Sequence, residues 1–110
     1  MLVDWSNFLE SVMHDEQLAR DVAEAYLDET PGLLKNLQTA LRDRNSEIAR
    51  RSAHTIKGSL RTLQAKTADT ALLVEQAAGE EHWDSCEQLA TQLESELASV
   101  EQELRHRLNI

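Results

Sequence analysis

The stretch EIARRSAHTIKGSLRTLQ, residues 47–64, decides the fold. Its apolar residues Ile48, Ala49, Ala53, Ile56, Leu60 and Leu63 recur at three- and four-residue spacing, the period of one helix face. The spacing predicts a helix over about Glu47 to Gln64, capped by Asn45 or Ser46. The same period continues on both sides. Asp4 caps a short first helix, about Trp5 to Met13, with Trp5, Phe8, Leu9 and Val12 on its buried side. Asp15 caps a second, whose stripe of Leu18, Val22 and Tyr26 resumes beyond Pro31 with Leu34, Leu37 and Leu41. Pro31 either opens a new helix at its first position or kinks one long helix that runs to about Arg44. A fourth helix, about Thr67 to Ala78, stops at Gly79. The last begins near Asp84, where Asp84 and Glu87 have capping-box spacing, and carries Cys86, Leu89, Leu93, Leu97, Val100 and Leu104. No segment alternates at period two as a strand would. The expected fold is all-α: an antiparallel four-helix bundle with a short extra N-terminal helix, one domain over residues 1–110.

Composition narrows the function. One cysteine, Cys86, cannot form an internal disulfide and has no partners at metal-site spacing, so it reads as a small core residue in a reducing, cytoplasmic compartment. No apolar run reaches the roughly 18 residues that span a bilayer, and no signal-peptide pattern opens the chain, so no membrane role is expected. A net charge of −9 argues against nucleic acid as a partner. Within residues 42–66, however, Arg42, Arg44, Arg50, Arg51, Lys57, Arg61 and Lys66 face only Asp43 and Glu47. Such a basic island suits an anion or an acidic partner, and equally suits ordinary helix surface chemistry.

His54 lies in the middle of that island. At about 100° per residue it falls roughly 160° from Ile56, on the outer face of its helix. Arg50, Arg51, Lys57, Gly58 and Arg61 lie within about 60° of it on the same wheel. Gly58 costs about 1 kcal/mol relative to alanine inside a helix, which points to close approach of something to the backbone there. A neutral imidazole is a competent nucleophile toward phosphorus, and nearby cations both favour its neutral form and balance a transferring phosphoryl group. The residues alone also fit an ordinary exposed histidine on a solvated helix face, and spacing and charge by themselves favour that plainer reading.

Ala53-His54-Thr55-Ile56-Lys57-Gly58-Ser59 resembles the signature of the histidine-containing phosphotransfer (HPt) domain family, in which lysine and glycine follow a helical histidine at three and four residues. Asp4-Trp5, the run Tyr26 to Pro31, Leu73, Glu75 and the region after Gly79 also sit where that family has comparable residues. The resemblance implies a phosphoryl carrier without kinase motifs, not an enzyme. In it His54 accepts the group from the phosphoaspartate of a receiver domain, in a response regulator or hybrid sensor kinase, and returns it to a receiver aspartate. It further implies that Lys57 steadies the phosphoryl oxygens, that Gly58 gives the partner room, and that Mg²⁺ belongs to the receiver, leaving this chain without a cofactor or metal of its own. Arg50, Arg51, Arg61 and Gln64 complete the expected docking surface of a monomer. Leu60, Arg61 and Gln64 depart from the family pattern, which carries small residues or glycine there; Leu60 is expected to fill the core, while Arg61 and Gln64 face outward and alter which receiver fits.

Three other readings compete. A carboxylate-bridged metal bundle needs two Glu-x-x-His motifs, and only Glu103 with His106 supplies one; His14 and His82 read as surface residues. An enzyme lacks a phosphate-cradling glycine loop, a nucleophile elbow or a convergent carboxylate pair. A non-catalytic interaction bundle, with His54 incidental and the stripe Leu93, Leu97, Val100 and Leu104 pairing with a partner helix, is the main alternative.

Overall fold

A computed structural model describes all of residues 1–110. Five helices follow one another: α1 (Trp5–Ser11), α2 (Glu16–Arg42), α3 (Ser46–Thr62), α4 (Thr67–Gly79) and α5 (Trp83–Leu108). Short turns reverse the chain between α2, α3, α4 and α5, and each of these packs on two neighbours, α5 closing the ring against α2. The body measures 41 × 20 × 19 Å, its long axis set by the 27-residue α2 at about 1.5 Å per residue. The all-α, four-helix expectation holds. One core of 28 buried apolar residues runs through it, and α1 closes one end by burying Trp5 and Phe8, with Val12 just beyond its last turn.

Local chemistry accounts for the helix starts. Asp4, Asp15 and Asn45 each accept the amide three residues on, from Asn7, Leu18 and Ile48, at 3.1 Å. The capping box expected at Asp84 does not form. α5 begins at Trp83, with His82 as a cap that makes no side-chain hydrogen bond, because the reversal after α4 is complete one residue earlier.

All five helices end in the same way. Met13, Arg44, Gln64, Glu81 and Asn109 turn into the left-handed region, with φ between 54° and 58°, and after α1 His14 follows Met13 into it. The next amide then reaches back five residues, from His14 to Leu9, Asn45 to Ala40, Ala65 to Leu60, His82 to Ala77 and Ile110 to Arg105. None of these reversal residues is glycine. Gly79, expected to stop α4, is instead its last helical residue, and Glu81 makes the reversal. At Gly79 a Cβ would lie 3.4 Å from Arg50 Cδ, so the Arg50 stem crosses the end of α4 there.

At Pro31 the structure decides for one continuous helix. Buried residues on both sides of the proline, Tyr26 and Thr30 before it and Leu37, Ala40 and Leu41 after it, face the same core and hold the two halves in register. Thr30 Oγ1 donates to the Tyr26 carbonyl at 2.6 Å. The inner stripe of α2 is Ala19, Ala23 and Tyr26, which leaves Leu18 exposed and Val22 half-buried. Ile48, expected on the inner face of α3, is 44% exposed, since Ala49, Ala53, Ile56 and Leu60 occupy that face. Small residues allow close helix approach, and a stripe drawn through the largest apolar residues misses them. Leu60 and Cys86 are fully buried as expected, and Cys86 Sγ faces the Val74 carbonyl at 3.7 Å.

The chain start is strapped across this bundle. Glu103 accepts the amides of Leu2 and Val3 at 2.9 and 3.0 Å, Lys66 donates its amide to the Leu2 carbonyl, and Asp4 donates to the Gln64 carbonyl. Glu103, half of the one metal-like motif, therefore serves as a clamp on backbone.

A left-handed conformation costs a side-chain-bearing residue about 1–2 kcal/mol. Glycine removes that cost but gives back about 0.4–1 kcal/mol through a freer unfolded chain. Gln64→Gly should therefore stabilise the fold by about 0.5–1 kcal/mol, read as a higher urea midpoint at unchanged m-value.

Candidate functional site

His54 stands midway along α3 with its side chain 61% exposed, the only histidine on that helix. α4 runs beside α3 and brings Glu75 to it: His54 Nδ1 lies 3.2 and 3.3 Å from the two carboxylate oxygens. A second partner reaches the same carboxylate, Lys57 Nζ at 2.8 Å from Oε1. Lys57 is only 7% exposed, so it does not join the open cationic face expected of it. Its stem crosses apolar surface to place the ammonium against Glu75, as a buried lysine requires.

The electrostatics of Glu75 follow from these contacts. Burial pushes its carboxyl up, but hydrogen bonds from Lys57 and His54, together with their charges, pull it down further, and the net result lies below the ordinary 4.5. A carboxylate can only accept, so the proton of a neutral His54 ring belongs on Nδ1 and the lone pair on Nε2. Glu75 thus fixes the tautomer that leaves a nucleophilic nitrogen on the other edge of an exposed ring. Lys57 balances the negative charge that performs this task.

The surrounding face is low and open. A Cβ at Gly58 would meet nothing within 4 Å, so no packing inside the chain requires glycine there. Thr55, Ser59 and Thr62 donate their hydroxyls to the carbonyls of Arg51, Thr55 and Gly58, which folds these side chains back onto the helix. Arg50, Arg51 and Arg61 are exposed on α3 with His54, and Arg51 is tied to Glu47. Gln64 is not on that face of the helix. It is the reversal residue after α3, where its φ of 58° is one that glycine adopts without strain.

Glu75 is the residue whose part sequence reasoning missed; it entered only as a position in line with a resemblance. Its signal was a lone carboxylate within ALLVEQAA, residues 71–78, on a helix that buries Ala71, Val74 and Ala78. A charge so placed needs a partner, and Lys57 is on the adjoining helix.

Fold and site together define a helical bundle with one exposed histidine on α3, its ring oriented by a carboxylate from α4. The Hpt domain family model matches residues 21–103, from the second turn of α2 into the last turns of α5, and the chain belongs to that family. Members take part in phosphotransfer in two-component systems, as phosphoryl carriers rather than kinases, and they interact with receiver domains. Neither curated proteins nor solved structures yielded a match. No helix is long and apolar enough to cross a membrane.

Because folding lowers the Glu75 carboxyl, the clamp contributes stability that is present above about pH 4.5 and is lost as the pH falls through the lower, folded-state value. Glu75→Ala should cost about 2–3 kcal/mol at pH 7 by leaving a nearly buried ammonium unpaired. The penalty should shrink as the pH falls below the ordinary carboxylate range, as measured by urea unfolding across pH, and should be smaller in a Lys57→Met background.

Proposed function

We propose that this chain is a phosphorelay intermediate in which His54 accepts a phosphoryl group from the phosphoaspartate of a receiver domain and passes it to a receiver aspartate. One observation carries the reading: the Glu75 carboxylate on Nδ1, which leaves Nε2 as the free nucleophile on an exposed ring. In the forward step the Nε2–P bond forms as the acyl phosphate O–P bond breaks, and the receiver carboxylate departs. The Nδ1 proton stays in place against Glu75. The imidazolium formed by phosphorylation is then paired with a carboxylate, and Lys57 holds that carboxylate ionised and in place. The reverse step uses the same contacts.

The rest of the surface serves docking. Gly58 leaves space one turn from His54, and Arg50, Arg51 and Arg61 meet the acidic surroundings of a receiver's aspartate. The metal that this chemistry uses, Mg²⁺, belongs to the receiver's acidic pocket, and the chain works as a cytoplasmic monomer without a cofactor of its own. Gln64 acts on docking only through the shape of the turn after α3.

Incubation with a phosphorylated receiver should transfer label to the chain as an acid-labile, base-stable phosphohistidine. His54→Gln should take up none, and labelling of that variant would remove the assignment. Gly58→Leu should remain folded by circular dichroism yet lose at least tenfold in transfer rate; a wild-type rate would show that nothing approaches the backbone there.

A further inference from the structure

The cations of residues 42–66 are not equivalent in the folded chain. Arg42 pairs with Asp43 and Arg44 with Glu87, both at 3.9 Å, Arg51 with Glu47, and Lys57 with Glu75. The Arg50 stem lies against Gly79. Arg50, Arg61 and Lys66 are exposed and make neither an ion pair nor a side-chain hydrogen bond, but the Arg50 stem is laid on α4 and Lys66 lies beyond the end of α3, so Arg61 is the one of the three that stands free on the His54 face of the helix. It follows His54 by seven residues, two helical turns on the same face, or about 10 Å along the axis. Only Gly58, which has no side chain and open space above it, lies between them on that line.

We infer that Arg61 is the specificity-determining residue of this surface, selecting receivers that present a carboxylate about 10 Å from the phosphorylated aspartate along the helix they cover. The inference rests on the phosphotransfer reading of His54. A partner that reaches Nε2 across the notch at Gly58 also covers Arg61. Covering a guanidinium with a neutral or basic surface strips its hydration without replacement, whereas a carboxylate there accepts a two-pronged, charge-assisted hydrogen bond. Discrimination therefore comes from rejection of the wrong receiver as much as from attraction to the right one. The exposed polar groups beside it, Thr55, Ser59 and Thr62, donate to their own helix and offer a receiver little to recognise.

The test uses a panel of purified receiver domains, phosphorylated with acetyl phosphate, and second-order transfer rates to the full chain. Wild type should prefer receivers with an acidic residue at the apposed position, and its rate should fall with added salt. Arg61→Glu should slow transfer from those receivers by about tenfold or more, and Arg61→Gln should slow it less and flatten the salt dependence. Changing the receiver's acid to lysine should restore transfer to Arg61→Glu. If Arg61→Glu, folded by circular dichroism, keeps the wild-type rates and ranking across the panel, the inference is overturned while the role of His54 stands. If no receiver labels the wild-type chain at His54, the phosphotransfer reading falls and takes this inference with it.

Discussion

The contact on which the site depends is the ion pair between Lys57 and Glu75. Neither partner is tolerable there alone. An ammonium at 7% exposure needs a carboxylate, and a carboxylate whose side chain is 17% exposed needs a counter-charge. Together they leave Glu75 ionised and oriented, with its oxygens divided between Lys57 Nζ and His54 Nδ1. The pair also joins α3 to α4, the two helices that pack most extensively on each other. Fixing the histidine's tautomer and fixing the helix pair are therefore the same act.

Both helices joined by the pair carry small residues among their buried positions. Ala49 and Ala53 of α3 and Ala71 and Ala78 of α4 are fully buried and let the two backbones come close. A short carboxylate side chain on one helix can then reach a histidine on the next while still accepting from lysine one turn along. Bulkier apolar residues would bury more surface per position, but they would move Glu75 out of hydrogen-bonding range.

The fold was legible in the sequence wherever its period was carried by large residues or by oxygen-bearing caps. Asp4, Asp15 and Asn45 cap as their chemistry demands, and Leu60, Leu93 and Leu104 are fully buried. Legibility failed where the decisive interaction was not local. Ile48 and Leu18 are exposed because alanines take the inner positions, a choice made by the neighbouring helix. Pro31 sits inside α2 because two flanking patches share one core, outweighing its lost hydrogen bond. Of the site, the exposure of His54 and the opening at Gly58 could be read from a helical wheel. The inward turn of Lys57 could not, since a wheel places a residue at an angle and a four-carbon side chain can bend away from it. Glu75 lay on another helix, where only the pairing of α3 with α4 gives it meaning.

The back-bonded hydroxyls of Thr55, Ser59 and Thr62 bear on how long a complex survives. These groups already have partners within their own helix, so a surface laid over them displaces little tightly held water and gains few new hydrogen bonds. Such a face is quick to cover and quick to clear. On a face of this kind the residence time of any partner falls to the charges around it, and brief encounters suit a phosphoryl carrier.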